Sequence, residues 1–137
     1  MSRRRTSDAL ALTVWMEQCW AAGHTIYIPE VIDYELRREL LRANKTNSVR
    51  KLDGLKAILR FLPITSAAML LAADLWASFW QRGLAITDPK KLDVDVILAA
   101  QALTMGVAPE DLIVATSNAA LVSRFVRVVN RDNIIPP

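Results

Sequence analysis

Residues 92–103 read LDVDVILAAQAL, and this stretch decides how the remaining chain is arranged. Asp93 and Asp95 stand ahead of a run in which Gln101 is the sole polar residue. A surface helix shows one apolar stripe, whereas this segment is apolar on nearly every face. We therefore predict a buried element with an exposed acidic start. Its two carboxylates either bind a divalent cation or stabilise the positive end of a helix dipole.

The composition indicates a single globular domain spanning residues 1–137. Hydrophobic residues make up 53% of the chain and charged residues 23%, which excludes a disordered or fibrous protein. Cys19 is the sole cysteine, so no intrachain disulfide can form, as expected of a cytoplasmic protein. The longest apolar region, residues 67–80, is interrupted by Asp74 and is too short to span a bilayer, so we expect no membrane segment.

The charge balance is mildly basic. Lys and Arg outnumber Asp and Glu by 17 to 14, which gives a net charge of +3 and favours contact with a polyanion. The opening SRRRTS resembles the start of a signal peptide, but Asp8 and Glu17 interrupt the apolar core that export requires. We therefore expect the chain not to be exported.

Hydrophobic periodicity predicts alternating helices and strands. The predicted helices cover residues 8–22, 30–43, 49–62, 67–82 and 92–103, with a turn at 119–124, and the predicted strands cover 25–28, 62–65, 112–115 and 126–129. The segment 84–91, LAITDPKK, is predicted to be a loop, and Thr65 or Ser66 to cap the helix that follows them. This alternation indicates an α/β fold, a parallel sheet flanked by helices.

Several common kinds of catalytic site are excluded. The 4 glycines, at positions 23, 54, 83 and 106, are too far apart to form a phosphate-binding loop. A structural zinc site needs four Cys or His ligands, and the chain has one of each. No serine lies in the strand-turn-helix pattern of a hydrolase nucleophile. Oxygen ligands therefore remain as the chemistry to consider.

The candidate oxygen ligands each lie near the start of a helix or the end of a strand; they are Glu35, Asp93, Asp95, Thr116 and Asn118. Carboxylate and amide oxygens bind Mg²⁺ or Mn²⁺, ions that often bridge to phosphate, so phosphodiester hydrolysis is the natural reaction. For Glu35 an alternative stays open. In this alternative Glu35 belongs to a salt-bridged helix surface in which Asp33 pairs with Arg37 and Glu39 with Arg42.

Three segments in this order resemble the PIN domain family, particularly the VapC-like toxins of bacterial toxin–antitoxin pairs. They are IPEVIDYELRREL, LDVDVILAAQAL and IVATSN followed by RF, and the resemblance covers residues 26–137. It implies a PIN-like parallel sheet and cleavage of single-stranded RNA with Mg²⁺ or Mn²⁺. It also implies that Glu35, Asp95 and Asn118 are catalytic. Glu35 and Asp95 would bind the metal with Asp93 as an auxiliary ligand, and Thr116 would contribute to RNA binding.

The resemblance also implies three partners, namely RNA, a cognate antitoxin and a second copy of the chain. The basic residues of the predicted helical hairpin, Arg38, Arg42 and Lys45 together with Arg37 and Arg50, would contact the RNA backbone. Their clustering leaves a second use open, which is to hold an antitoxin segment or another subunit.

One feature of the family has no counterpart before Asp8. PIN domains begin with an apolar central strand that ends in an aspartate, in a pattern like LLDTNV, whereas this chain begins with MSRRRTS. We therefore expect either a start downstream of the true one or an N-terminally shortened PIN-like domain that lacks this strand and its aspartate. Two functions are compatible with that expectation: a metal-dependent RNA endonuclease with an incomplete acidic site, and an inactive module that binds RNA or a protein.

Overall fold

A computed structural model describes residue 14 and residues 17–83, 89–108, 111–112, 114–116 and 128–130. The start of the first predicted helix, the predicted turn at 119–124 and Asn118 lie outside the described residues. Within them, the elements are β1 (Tyr27–Pro29), α1 (Glu30–Arg42), α2 (Thr46–Ile58), β2 (Arg60–Leu62), α3 (Ser66–Gln81), α4 (Pro89–Leu103), β3 (Val114–Thr116) and β4 (Val128–Asn130). The α/β fold class predicted from the sequence is confirmed.

The strands form two parallel pairs. β1 pairs with β2 from Tyr27↔Arg60 to Pro29↔Leu62, and β3 pairs with β4 from Val114↔Val128 to Thr116↔Asn130. Parallel neighbours need a crossover connection, and the α1–α2 hairpin is the crossover between β1 and β2. The predicted hairpin is therefore the element that makes this parallel pairing possible.

The helix α4 lies between two apolar clusters. One cluster joins it to α1 and contains Val31, Val94, Leu98, Ala99 and Ala102. The other joins it to α3 and contains Ala68, Ala72, Phe79, Leu92, Val96 and Ala100. The prediction that this segment is buried is confirmed, because apolar neighbours cover it from two sides.

Gln101, the polar residue within this apolar run, links three elements. Its side chain is 2% exposed. Its Oε1 accepts a hydrogen bond of 3.2 Å from the Val31 backbone N–H, and its Nε2 donates one of 2.8 Å to the Leu62 carbonyl. The buried amide is thus satisfied at both ends, as buried polar groups in folded proteins generally are.

Two predicted boundaries around β2 are wrong. The second hairpin helix ends at Ile58 rather than at residue 62, and the strand covers Arg60–Leu62 rather than residues 62–65. Leu55, Ile58, Leu59 and Leu62 follow a helical spacing, but the backbone from Arg60 onward pairs with β1 instead. A contact between residues distant in the chain has overridden the local pattern.

The start of α4 also differs from the prediction. The helix begins at Pro89, so residues 89–91 are helical rather than part of a loop. Proline suits a first helical position because its missing N–H has no partner there in any case. Asp93 therefore lies beyond the first turn, and the prediction that it stabilises the positive end of the helix dipole from a capping position is wrong. Asp95 lies deeper still and is buried rather than exposed.

The helix α3 is apolar on both its inner and its outer face. Thr65 caps it, since its Oγ1 accepts a hydrogen bond of 3.1 Å from the Ala68 N–H. Outside the buried cluster, the exposed large residues of α3 are Met69, Leu70, Trp76 and Trp80. The rings of Trp76 and Trp80 meet edge to face with centroids 6.0 Å apart. Among the described helices, none combines the length and the apolar character needed to cross a membrane.

Candidate metal centre

Asp95 is a buried carboxylate in the second turn of α4. It is 6% exposed, and the neighbouring Val94 and Val96 are buried with it. No hydrogen bond or ion pair joins its carboxylate to another described residue. A buried charge without a partner is unfavourable, so such groups are commonly neutralised or coordinated to a metal.

The pKa of Asp95 reflects this environment. Burial raises the pKa to about 6, the positive charge of Lys91 opposes the rise, and the negative charge of Glu35 adds to it. Charge–charge effects of this kind require proximity. The electrostatics therefore place Glu35 near Asp95 although the two residues lie on different helices.

The packing of α1 against α4 explains this proximity. Glu35 lies one turn after Val31, and residues four apart share a helix face. Val31 packs against Val94 and Leu98 in the first apolar cluster, so Glu35 lies on the same side of α1 and is partly buried. Two of the predicted site residues, Glu35 and Asp95, thus lie within electrostatic range of each other across the contact between α1 and α4.

The remaining predicted ligands are placed differently. Asp93 is exposed, and residues two apart on a helix do not face each other, so its side chain points away from that of Asp95. Thr116 is the last residue of β3. Asn118 lies outside the described residues. No group of three Cys, His, Asp or Glu side chains in the described part of the chain is arranged to hold a metal ion.

Two carboxylates suit a hard divalent cation that keeps several of its own water ligands. Mg²⁺ is typically bound through one or two carboxylates together with water and phosphate oxygens. The unpartnered, buried Asp95 beside Glu35 fits this requirement. The carboxylate oxygens of Glu35 and Asp95, together with the burial of Asp95, therefore support binding of a divalent metal ion.

The basic residues proposed for RNA contact lie along the hairpin. Arg38 stacks over the Tyr34 ring at 5.1 Å from its centroid, and Arg42 donates a hydrogen bond of 2.6 Å to Glu39. Lys45 is exposed between the two helices. The Arg42 side chain is 77% exposed, and Glu39 accepts from only two of its nitrogens, so further donors remain for a phosphate.

A charged network joins the two hairpin helices on the other side. Arg37 donates to both carboxylate oxygens of Asp33, at 3.0 and 3.2 Å, and to Asp53 of α2 at 2.7 Å. Lys56 lies 3.7 Å from Asp33. The hydrogen bonds from Arg37 hold the pKa of Asp33 below its usual range despite partial burial. The salt-bridged helix surface considered in the sequence is confirmed for the Asp33–Arg37 and Glu39–Arg42 pairs.

The sequence did not indicate the roles of two residues near the site. Lys91, assigned to a loop, lies one turn before Asp95 on α4 and lowers the pKa of that carboxyl by its charge. Gln101 was noticed as an interruption of the apolar run, and its two hydrogen-bond partners lie 70 and 39 residues away. The signal for Gln101 was present, but a single sequence does not name distant partners.

Comparison with solved structures identifies the fold. One chain in the crystal structure of VapBC2 from Rickettsia felis, bound to a DNA fragment from its promoter, matches this fold with a TM-score of 0.57. This chain has a PIN-like fold. The match covers 79% of this chain and 76% of that chain at 18% sequence identity, so it shows the fold alone. No protein-family model matches the sequence, and neither does any curated protein sequence.

Proposed function

We propose that this chain is a metal-dependent endonuclease for single-stranded RNA, of the VapC toxin type. The observation that carries the proposal is the buried Asp95 carboxylate beside Glu35. The PIN-like fold shared with a chain of VapBC2 supports the same conclusion. Residues 1–137 are proposed to form a single PIN-like domain.

Glu35 and Asp95 are proposed to hold Mg²⁺ or Mn²⁺, whereas Asp93, which is exposed and points away from Asp95, is left out of the proposed ligand set. When bound, such an ion activates a water molecule and neutralises charge on the phosphate. Asn118 is proposed to orient the water or the phosphate, and Thr116 to contact the RNA. The positive charge of a cation would remove the electrostatic conflict between the two carboxylates, which favours the ionised form of Asp95.

The RNA backbone is proposed to lie along the exposed basic surface of the hairpin. Arg38, Arg42 and Lys45 are exposed there, whereas Arg37 is engaged by Asp33 and Asp53. Because cations that neutralise phosphates release counterions, binding is expected to weaken as salt concentration rises.

Cleavage of a labelled single-stranded RNA tests the proposal. We expect cleavage with Mn²⁺ or Mg²⁺, a loss of at least about a hundredfold in rate for Asp95→Asn, and no cleavage in EDTA. Asp74→Asn is the matched control, since Asp74 is an exposed aspartate on α3 and lies outside the proposed site. Cleavage that persists in EDTA, or in the Asp95 variant, would contradict the assignment.

The second candidate is an inactive PIN-like module that binds RNA or a protein without cutting RNA. It is favoured by the finding that the described residues bring together two carboxylates and no third. Salt-sensitive RNA binding without cleavage at any Mn²⁺ concentration would support this function. Efficient metal-dependent turnover would exclude it.

A cognate antitoxin and a second copy of this chain are the proposed protein partners. Exposed apolar side chains on α3, above all Trp76 and Trp80, support contact with protein, since patches of this kind commonly mark interfaces. We expect the purified chain to sediment as a dimer and Trp76→Glu to shift it to a monomer. A wild-type chain that is monomeric at all concentrations would contradict the homodimer.

A further inference from the structure

We propose that Gln101 is a positioning residue that fixes α1 on α4 so that Glu35 lies beside Asp95. The inference deepens the proposed function, because it assigns a residue outside the acidic pair to the assembly of that pair. Gln101 itself contacts neither carboxylate among its hydrogen-bond partners.

The start of α1 is capped by a side chain from α4. The first N–H groups of a helix lack partners within the helix, and a side chain of the preceding residue commonly supplies one. Pro29 precedes α1 and makes no side-chain cap hydrogen bond. The Val31 N–H donates instead to Oε1 of Gln101, so the start of α1 is capped from another helix.

The other polar atom of the Gln101 side chain contacts β2. Nε2 of Gln101 donates to the carbonyl of Leu62, the last residue of β2. Since β2 pairs with β1, and β1 leads directly into α1, the amide is held by both ends of one structural unit. Gln101 is therefore fixed in orientation, and the direction in which it presents Oε1 to Val31 is fixed with it.

The hydrogen bond between Gln101 and Val31 also bears on the positions of Glu35 and Asp95. Glu35 lies about 6 Å along α1 from Val31, and Asp95 lies about 9 Å back along α4 from Gln101, at 1.5 Å per residue. Both distances run along the two helices that meet at one seam, the first apolar cluster, to which Val31, Val94 and Leu98 belong. The position of Val31 on α4 consequently sets the position of Glu35 relative to Asp95.

The apolar contacts along this seam do not fix that position by themselves. Hydrophobic contact is not directional. The hydrogen bond of 3.2 Å from the Val31 N–H to Gln101 is directional. A helix turns by about 100° per residue, so a slip of one residue would direct Glu35 away from Asp95. The directional contact through Gln101 selects the arrangement in which Glu35 lies within electrostatic range of Asp95.

Gln101→Met tests the proposal, because methionine is similar in length and volume and makes neither hydrogen bond. Mn²⁺ affinity would be measured by calorimetry on metal-free protein at a temperature where the variant is fully folded. We expect the Kd for Mn²⁺ to rise by about 10- to 100-fold, the range found when residues that orient metal ligands are removed.

Phe79→Leu is the matched control. Phe79 is buried in the cluster between α3 and α4, which contains no α1 residue, so its truncation destabilises the fold without touching the seam. We expect its Mn²⁺ affinity to match that of the wild type. Unchanged affinity in Gln101→Met would overturn the proposal, and so would equal weakening in both variants.

A second measurement does not depend on metal. Spin labels at Leu36→Cys of α1 and Leu103→Cys of α4, both exposed positions, would report the interhelical distance in a Cys19→Ala background. We expect Gln101→Met to shift or broaden the distance distribution. An unchanged distribution would overturn the positioning role even if the wild type bound no Mn²⁺. Mn²⁺ binding without RNA cleavage would instead contradict the nuclease and leave the role of Gln101 standing.

Discussion

At the scale of single residues, Asp95 determines how stability depends on pH in the absence of metal. Its folded-state pKa of about 6 lies above the value of about 3.9 expected in the unfolded chain. Between these values the folded state binds a proton that the unfolded state has released. The free energy of unfolding therefore falls as pH rises from about 4 to about 6, by at most about 3 kcal/mol.

Urea unfolding at a series of pH values measures this effect. We expect the difference in stability between Asp95→Asn and the wild type to grow in favour of the variant across that window and to stay constant above it. Asp33 acts in the opposite direction, because its lowered pKa makes it lose stabilising interactions at more acidic pH. A stability difference that is independent of pH would contradict the burial of an ionisable Asp95.

Glu35 and Asp95 show how much of the candidate site could be predicted from the sequence. The order of motifs indicated Glu35 and Asp95, and the packing of α1 on α4 explains why the charge of Glu35 reaches Asp95. The burial of Asp95 was not predictable, because the sequence pattern placed the helix start after Lys91 and left the aspartates exposed. A proline at a first helical position and a proline in a turn look alike locally.

At the scale of elements, the α1–α2 hairpin depends on Asp33. Asp33→Ala should lower the free energy of unfolding by about 1–3 kcal/mol, because it leaves Arg37 and Lys56 without their shared partly buried acceptor. Thermal or urea unfolding at pH 7 measures the change.

Glu39→Ala is the matched control on the same helix. Glu39 pairs with Arg42 in an exposed salt bridge, and such pairs contribute at most about 1 kcal/mol. If both variants lose the same stability, the network through Arg37 is not what joins the two helices.

The elements also show where local patterns fail. Helical spacing correctly predicted α1 and most of α2 and α3, and Thr65 was one of two named caps. It failed at residues 59–62, where apolar residues suit either a helix or a strand. The choice there depends on β1, more than 30 residues earlier in the sequence.

At the scale of the whole molecule, a metal held by Glu35 and Asp95 would link two helices and thereby stabilise the domain. A ligand that binds only the folded state adds about 2.7 kcal/mol at a concentration 100 times its Kd. We expect Mn²⁺ to raise the Tm of the wild type by several degrees in a concentration-dependent manner, as measured by differential scanning fluorimetry.

Asp95→Asn should abolish this shift while raising the Tm of the metal-free protein. Asp74→Asn, which changes an exposed aspartate of α3, should behave like the wild type. A Tm increase with Mn²⁺ in the Asp95 variant equal to that of the wild type would place the metal elsewhere on the molecule.

The overall architecture was accessible from the sequence to the level of fold class. Residues 92–103 were correctly predicted to be central because they are apolar on nearly every face, and α4 indeed lies between α1 and α3. The directions in which α1 and α3 pack on α4 were not accessible. They depend on contacts such as that of Gln101 with Val31, which spans 70 positions.

The separation of Glu35 and Asp95 along the chain also sets the time at which each is made during synthesis. A ribosome polymerises Asp95 sixty residues after Glu35, which at about 5–20 residues per second is a delay of about 3–12 s. Throughout that interval the nascent chain contains one carboxylate of the pair and lacks the helix that receives α1. A nuclease assembled across this seam would be silent until α4 had been made.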